Sequence, residues 1–164
     1  MTLSTIFVKE AVLNVASSMR WVKETQGANR GEAVDRMIPA TGLVPPQPWC
    51  MAYVNWCGQA ALDLLWPLPM AAGCQFVAEA AQKLGMLKVL EVGVVPERGS
   101  IFLLWGESVH RYRHTGFVLG ADAESGWYRC IEGNTNDDGS PEGTGVFKRR
   151  RQFTGKDAII NWWL

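Results

Sequence analysis

The sequence has no net charge and no long apolar run. Sixteen basic and sixteen acidic residues cancel, which removes the electrostatic case for a nucleic-acid partner or an anionic membrane. No apolar segment approaches the ~18 residues that a membrane span requires. The N-terminus lacks the basic start, apolar core and small-residue cleavage site of a secretory signal. We therefore expect a protein made in the cytoplasm, with no nucleic-acid or membrane partner and with a separate delivery route for any external action.

Cysteine and histidine are also scarce, and neither is arranged as metal ligands usually are. The chain has no Cys-x-x-Cys pair, so a structural zinc site is not expected. The wide cysteine spacing also argues against a disulfide framework in a chain of this size. We predict no metal and no cofactor. The residues concerned are Cys50, Cys57, Cys74, Cys130, His110 and His114.

What is present is an ordinary globular composition. The 164 residues are 48% apolar and 20% charged, which predicts one domain, residues 1–164, with a substantial core. The one basic cluster is 148–151. Its first interpretation is a solvated strand end, and its alternative is an anion contact.

The hydrophobic periodicity changes halfway along the chain. Helical patterns cover 5–24, 31–38, 48–66 and 73–84, and Asn29 with Glu32 resembles a capping box for the second of them. Short β-prone runs separated by Gly, Asp, Asn and Ser then follow, at 100–105, 114–119, 126–132, 145–149 and 158–162. Helices followed by strands predict an α+β fold with an antiparallel sheet.

Cys50 occupies the most informative helix start. Pro48 suits only the first turn of a helix, so we predict a helix that opens near Pro48 and ends before Pro67. The unpaired N–H groups and the positive dipole end there favour a thiolate over a thiol. We also expect this helix to be largely buried, with Leu64 or Leu65 on its inner side.

A cysteine nucleophile needs a base, and a simple hairpin register places a carboxylate beside the candidate base His114. Pairing Leu119 with Trp127 also pairs His114 with Glu132, directly opposite each other on one face. Asn134 follows and offers a second polar contact. The alternatives stay open: the cysteine is a small buried hydrophobe, the histidine is structural, and the polar pair serves the turn at 133–136.

Four segments together resemble one known family, the CHAP-type cysteine amidohydrolases and peptidases. Residues 47–54 (QPWCMAYV) resemble the nucleophile motif, and 114–118 (HTGFV) resemble the His-x-Gly-aliphatic-Val strand. Residues 131–136 (IEGNTN) match the Glu-Gly-Asn-Thr segment. Residues 98–102 (RGSIF) resemble the Pro-Gly-Asp-aliphatic strand, although Arg98 and Ser100 replace Pro and Asp, a change expected to affect a turn and not the chemistry. The resemblance covers about residues 20–151.

The resemblance implies a papain-like fold that cleaves amide bonds of bacterial peptidoglycan. Cys50 is then the nucleophile, His114 the base, and Glu132 or Asn134 the group that orients the histidine. The Cys50 backbone N–H and one side-chain donor would hold the oxyanion. Gln47 and Tyr53 are the candidates for that donor.

Trp49 is a candidate for the wall of a substrate cleft, with core packing as the alternative. Family members cut either the sugar–peptide amide or a bond within the stem peptide or cross-bridge. They include phage lysins, virion-borne hydrolases and secreted effectors, so a phage virion, a delivery machinery or an immunity protein is a possible partner. The competing hypotheses are a non-catalytic wall-binding module and a papain-like cysteine hydrolase of a non-wall amide.

Overall fold

The computed structural model describes residues 3–91, 94–122, 125–136 and 143–163. Four helices come first: α1 (Leu3–Ser18), α2 (Glu32–Met37), α3 (Cys50–Leu62) and α4 (Cys74–Lys83). Short 3-10 turns at Pro39–Thr41 and Asp63–Leu65 flank α3. None of the helices in these residues is long and apolar enough to cross a membrane.

The six strands that follow form one antiparallel sheet. They are β1 (Leu87–Val89), β2 (Ile101–Gly106), β3 (Arg111–Asp122), β4 (Trp127–Thr135), β5 (Gly145–Gln152) and β6 (Ala158–Ile160). Their order across the sheet is β1-β6-β2-β3-β4-β5. The predicted α+β architecture, with N-terminal helices packed on a C-terminal antiparallel sheet, is confirmed.

The main core lies between the helices and one face of the sheet. Alternate strand residues such as Ile101, Leu103, Phe117 and Ile131 face the helices and are fully buried. The opposite face carries a smaller cluster of Phe102, Val118, Tyr128 and Cys130. Both faces of the central strands are therefore covered, which explains their nearly continuous apolar sequence.

Helix α3 is the element around which the core is built. All but one of residues 50–58 are buried, as predicted. The expected inward position of Leu64 or Leu65 is wrong, because the helix ends at Leu62 and the following turn leaves these side chains 92% and 81% exposed. At Gly58, a Cβ would overlap the ring of Trp66, so the chain after α3 folds directly back over the helix.

Two other local expectations are wrong. The first helix ends at Ser18 and not near residue 24, because the chain around Lys23 instead bridges to Gly145 at the start of β5. The capping box does not form: α2 begins after Gly31 without a side-chain cap, and Glu32 instead accepts a hydrogen bond from Arg36 one turn later. The short strand β1 was not expected from the sequence.

Asn55 fastens the connection between α3 and α4. Its Nδ2 donates to the carbonyl oxygens of Pro69 and Ala71, at 3.0 and 2.8 Å, and its Oδ1 accepts from Trp66 Nε1 at 3.0 Å. The residue is fully buried. One side chain therefore holds the segment that leads into α4, and so sets where Cys74 begins that helix.

We expect Asn55→Ala to lower the free energy of unfolding by about 2 to 4 kcal/mol, because the buried indole N–H of Trp66 and two part-buried carbonyl oxygens lose their partner at once. Gln59→Ala is the matched control: it is on the same helix but exposed, and its effect should stay within about 0.5 kcal/mol. Urea denaturation of both variants measures the difference. Equal stability of the two variants would contradict the role given to Asn55.

Candidate active site

Cys50 is the first residue of α3, as the proline pattern predicted. Trp49 precedes it as the N-cap residue and is fully buried, with its indole Nε1 donating to Glu24 Oε1 at 2.9 Å. Gly133 of β4 lies against Trp49 and Tyr53 so closely that a Cβ there would come within 2.8 Å of both. A buried anchor and a glycine contact thus fix the position of the helix start on the sheet.

The Cys50 thiol lies beside a second thiol. Its Sγ is 3.8 Å from Sγ of Cys74, the first residue of α4. The hydrogen bond with Cys74 lowers the pKa of Cys50 well below its usual value, and His114 lowers it further, against the opposing effect of burial. Position at a helix start adds in the same direction. Cys50 is therefore the cysteine whose surroundings favour the thiolate.

His114 lies on β3 opposite Leu104 and is fully buried. Its Nε2 is 2.8 Å from Glu132 Oε2. Its Nδ1 has no hydrogen-bond partner among the described residues. Burial lowers the pKa of His114, but interactions with Cys50 and Glu132 outweigh it and raise the pKa to about 9. At neutral pH the ring is thus an imidazolium between two negative groups.

The hairpin register that led to Glu132 is wrong. At Trp127, which pairs with Asp122 and not with Leu119, the error is three residues; a bulge between Val118 and Gly120 reduces it to two, so that Phe117 pairs with Ile131. Because the error beside Glu132 is an even number of residues, His114 and Glu132 still share a face. They are diagonal and not directly opposite neighbours, and their side chains still meet.

Gly116 makes the diagonal contact possible. A Cβ at this position would lie 2.9 Å from Cγ of Glu132 and 2.9 Å from the ring of Phe102. The missing side chain leaves the space through which Glu132 reaches His114. The His-x-Gly pattern of the sequence therefore has a steric cause at this site.

Glu132 is a buried carboxylate that accepts from four donors. Arg151 donates from Nε and Nη2 at 2.5 Å each, the Cys130 thiol donates at 2.8 Å, and the protonated His114 ring supplies the fourth contact. Burial alone raises the pKa of Glu132, but the hydrogen bonds from Arg151 and His114 lower it to about 2. The carboxylate is therefore ionised throughout the physiological range.

Sequence reasoning missed Arg151 and Cys74. Arg151 was counted within the solvated basic cluster, yet its side chain is only 16% exposed and forms an ion pair with Glu132. The contact depends on the β4–β5 pairing, which places Arg151 opposite Tyr128, on the same face of β4 as Glu132. Cys74 had a visible signal: like Cys50, it begins a helix shortly after a proline-rich turn.

Asn134 lies in β4 where the pairing with β5 shifts between Glu132 and Thr135. Its backbone has a φ of 56°, a left-handed conformation that asparagine tolerates better than most residues. The side chain is buried, and within the described residues its Oδ1 and Nδ2 have no hydrogen-bond partner. Glu132, and not Asn134, is the residue in hydrogen-bond contact with His114.

A cleft of about 370 Å³ opens beside Cys50. Within the part of the chain that the structure describes, its lining includes both thiols and two exposed arginines but no acidic residue: Leu43, Gln47, Pro48, Cys50, Ala72, Gly73, Cys74, Gln75, Val109, Arg111, Tyr112 and Arg113. A substrate group next to Cys50 therefore meets a positive surface.

The cleft separates the three candidates for oxyanion and substrate contacts. Gln47 lines it. Tyr53 is fully buried, and its hydroxyl donates to the Ala16 carbonyl oxygen at 2.9 Å. Trp49 is buried against Gly133 and is not part of the lining. Geometry thus keeps Gln47 as the candidate donor and assigns Tyr53 and Trp49 to the core.

Arg98 and Ser100, the two residues that depart from the family pattern, each form hydrogen bonds with other parts of the fold. Arg98 forms an ion pair with Glu10 at 2.6 Å and donates to the Leu119 carbonyl oxygen, and Ser100 Oγ donates to Asn161 Oδ1 at 2.8 Å. None of these hydrogen bonds and ion pairs involves His114 or Glu132. Among the described residues, no group of three or more histidine, cysteine or acidic side chains is arranged to hold a metal ion.

Comparison with known proteins gives one family. The family model of the CHAP domain matches residues 43–134, which contain Cys50, His114, Glu132 and Asn134. The solved structure titled "The crystal structure of Ly7917" is similar at 16% identity and a TM-score of 0.47, over 93% of this chain and 61% of that one. This chain therefore spans about 61% of the length of that protein. A comparison with curated proteins finds no match.

We expect Cys50 to react fastest of the four cysteines with iodoacetamide near neutral pH. Its pKa is lowered, whereas burial raises that of Cys57 and Cys130, and the contact with Cys50 raises that of Cys74. Peptide mapping after a brief exposure identifies the labelled residue. Earlier labelling of any other cysteine would count against the assignment.

We expect Arg151→Gln to lower the free energy of unfolding at pH 7 by about 2 to 4 kcal/mol, because it leaves a buried carboxylate short of its main partner. Glu132 has a depressed pKa, so its contribution to stability is present above its ordinary pKa of 4.5 and is lost as pH falls toward about 2. Arg151→Gln raises the pKa of Glu132, so the variant should lose this stabilisation at a higher pH than the parent. Melting temperatures between pH 2 and 7 measure both effects.

Arg150→Gln is the matched control on the same strand. Arg150 is exposed, with its guanidinium 4.9 Å from the centroid of the Trp127 ring, a contact worth under about 1 kcal/mol. Identical acid unfolding of the two variants would refute the role of Arg151.

Proposed function

Because the chain belongs to the CHAP domain family of amidases and peptidases, we propose that it hydrolyses an amide bond of bacterial peptidoglycan with Cys50 as the nucleophile. One observation carries the proposal: His114 is buried between Cys50, which begins a helix at a cleft, and the ionised Glu132. This is the arrangement that nucleophilic catalysis by a thiolate requires.

The site carries out the reaction in two stages. The Cys50 thiolate attacks the amide carbonyl carbon, and the His114 imidazolium gives its proton to the leaving amine. An acyl-enzyme remains. Neutral His114 then removes a proton from water, the resulting hydroxide attacks the thioester, and the thiolate and imidazolium are restored.

The oxyanion is held at the start of α3. The backbone N–H of Cys50 belongs to the unpaired first turn of the helix and points to where negative charge develops. Gln47 lines the same cleft and supplies the second donor. A preorganised donor pair of this kind stabilises the tetrahedral intermediate more than the substrate.

Glu132 is proposed as the orienting residue. It contacts Nε2 of His114, so the other ring nitrogen is left toward the nucleophile. Its four donors hold the carboxylate rigidly, which in turn fixes the plane of the imidazole. Asn134 is proposed as a supporting polar group without direct contact to the ring.

The sugar–peptide amide and a bond within the stem peptide or cross-bridge are the two candidate bonds. A phage lysin, a virion-borne hydrolase and a secreted effector are the proposed biological settings, and each implies its own delivery or immunity partner. The buried, ionised His114–Glu132 pair supports catalysis over a purely wall-binding role.

We expect the protein to release soluble muropeptides from purified peptidoglycan and Cys50→Ser to lose nearly all of this activity, because a hydroxyl is a far weaker nucleophile here. Cys57→Ser should keep most of it, because Cys57 is on the same helix but its thiol donates a hydrogen bond to Met19 Sδ instead. Mass spectrometry of the products identifies the bond. Equal activity of Cys50→Ser and the parent would refute the mechanism.

We expect Glu132→Gln to lower kcat roughly ten- to a thousand-fold, less than removal of the nucleophile. Activity needs the thiolate–imidazolium pair, so it should fall as pH rises through the His114 pKa of about 9. Loss of the carboxylate lowers that pKa, and the alkaline limb should move to lower pH. Rate–pH profiles on one wall substrate measure the shift.

Asn134→Ala is the control for this assignment. It should leave the alkaline limb where the parent has it, because Asn134 does not contact the ring. A large rate loss in Asn134→Ala together with an almost unchanged Glu132→Gln would reverse the two roles.

A further inference from the structure

Two helix starts converge on the cleft, and each begins with a cysteine. Cys50 opens α3 and Cys74 opens α4, and the two sulfur atoms are 3.8 Å apart. Both side chains are buried, and both line the cleft. The mechanism uses Cys50 and leaves Cys74 without a task.

The contact has a defined hydrogen-bond sense. When Cys50 is a thiolate, it is only an acceptor, so the thiol of Cys74 is the donor. The pKa of Cys74 is consistent with this direction, because the contact with Cys50 raises it and keeps the Cys74 thiol protonated. A donor on one side and the imidazolium on the other restrict rotation of the Cys50 side chain about its Cα–Cβ bond.

We propose that Cys74 is a positioning residue, whose thiol donates a hydrogen bond to the Cys50 thiolate and thereby favours its ionisation and its orientation toward the cleft. Asn55 is part of this arrangement, because it anchors the segment that leads into Cys74. The proposal concerns the state of the thiolate and does not depend on which amide is cut.

The test is the pH dependence of Cys50 alkylation by iodoacetamide, followed by peptide mapping on fully reduced protein. Cys74→Ala and Cys74→Val remove the donor, so the midpoint should move to higher pH. Below the parent's midpoint the rate should fall about tenfold, the size expected for loss of one hydrogen bond to a charged group. Cys74→Ser keeps a donor and should stay near the parent.

Cys57→Ala controls for loss of a buried thiol that does not touch Cys50. A parent-like midpoint in the alanine and valine variants would overturn the proposal. An equal shift in the serine variant would also overturn it, because packing alone would then explain the effect. Two non-donor variants keep the test informative if one of them does not fold.

A second and independent observation concerns the charge of the cleft. Arg111 and Arg113 are exposed on its rim, and none of the described residues that line it is acidic. The stem of Arg113 is held against Gly106, where a Cβ would lie 2.6 Å from its Cδ. The field of Arg111 reaches the catalytic end, since it acts to lower the pKa of Cys74 against the larger effect of Cys50.

We infer that Arg111 and Arg113 determine specificity by binding a free carboxylate of the peptide near the scissile amide. The inference rests on the proposed function and adds a substrate feature to it. A guanidinium binds a carboxylate through two N–H donors and loses most of that interaction when the carboxylate is amidated.

A binding measurement tests this inference separately from catalysis. In Cys50→Ala protein, which cannot cleave, two synthetic stem peptides that differ only in a free or an amidated glutamate carboxyl are titrated by calorimetry. We expect about tenfold tighter binding of the free acid, decreasing as salt is added. Adding Arg111→Gln and Arg113→Gln should reduce the preference to under about threefold.

Lys148→Gln, an exposed basic residue on β5, is the control and should keep the preference. Equal binding of the two peptides, or no measurable binding of either, would overturn the inference. Wall digestion by the parent remains the separate test of the proposed function, so failure of one is distinguishable from failure of the other.

Discussion

The buried carboxylate of Glu132 is the constraint on which the site depends. An ionised group without water needs partners for its lone pairs. Each of its oxygens has two: Arg151 and Cys130 at Oε1, and Arg151 and His114 at Oε2. The carboxylate is held between β3, β4 and β5, so the orientation of the histidine depends on the correct pairing of three strands.

Charges alternate outward from that carboxylate. Arg151 and His114 are positive on either side of Glu132, and the thiolate of Cys50 follows beyond the ring. Each of these four charges therefore has a neighbour of opposite sign, and the four together are neutral. Neutrality of the group offsets the desolvation that each charge would otherwise suffer.

Helix starts provide the second half of the site. The unpaired N–H groups of α3 act on the ionisation of Cys50 and, in the proposed mechanism, on the oxyanion that forms beside it. Packing fixes the position of this helix: Trp49 is buried against Gly133, and Asn55 fastens the chain that follows. Stability and chemistry thus use the same residues of one helix.

Local chemistry in the sequence was enough to locate the helix that carries the proposed nucleophile. The helix that was predicted to open near Pro48 begins two residues later, at Cys50. The pair of His114 and Glu132 was also found, although through a register that is wrong by two residues beside Glu132. Side-chain direction alternates along a strand, so an even error preserves the face and an odd error would have lost it.

The sequence by itself thus determined the α+β class, the helix that begins at Cys50 and the residue types of the site, because these depend on periodicity and on the backbone limits of proline and glycine. Only the tertiary structure decided that Arg151 is a buried partner and not a solvated cation, that Tyr53 belongs to the core, and that Cys74 meets Cys50. Those three contacts join residues 19 to 37 positions apart in the chain. No local pattern encodes such contacts; they arise when strands pair and helices pack.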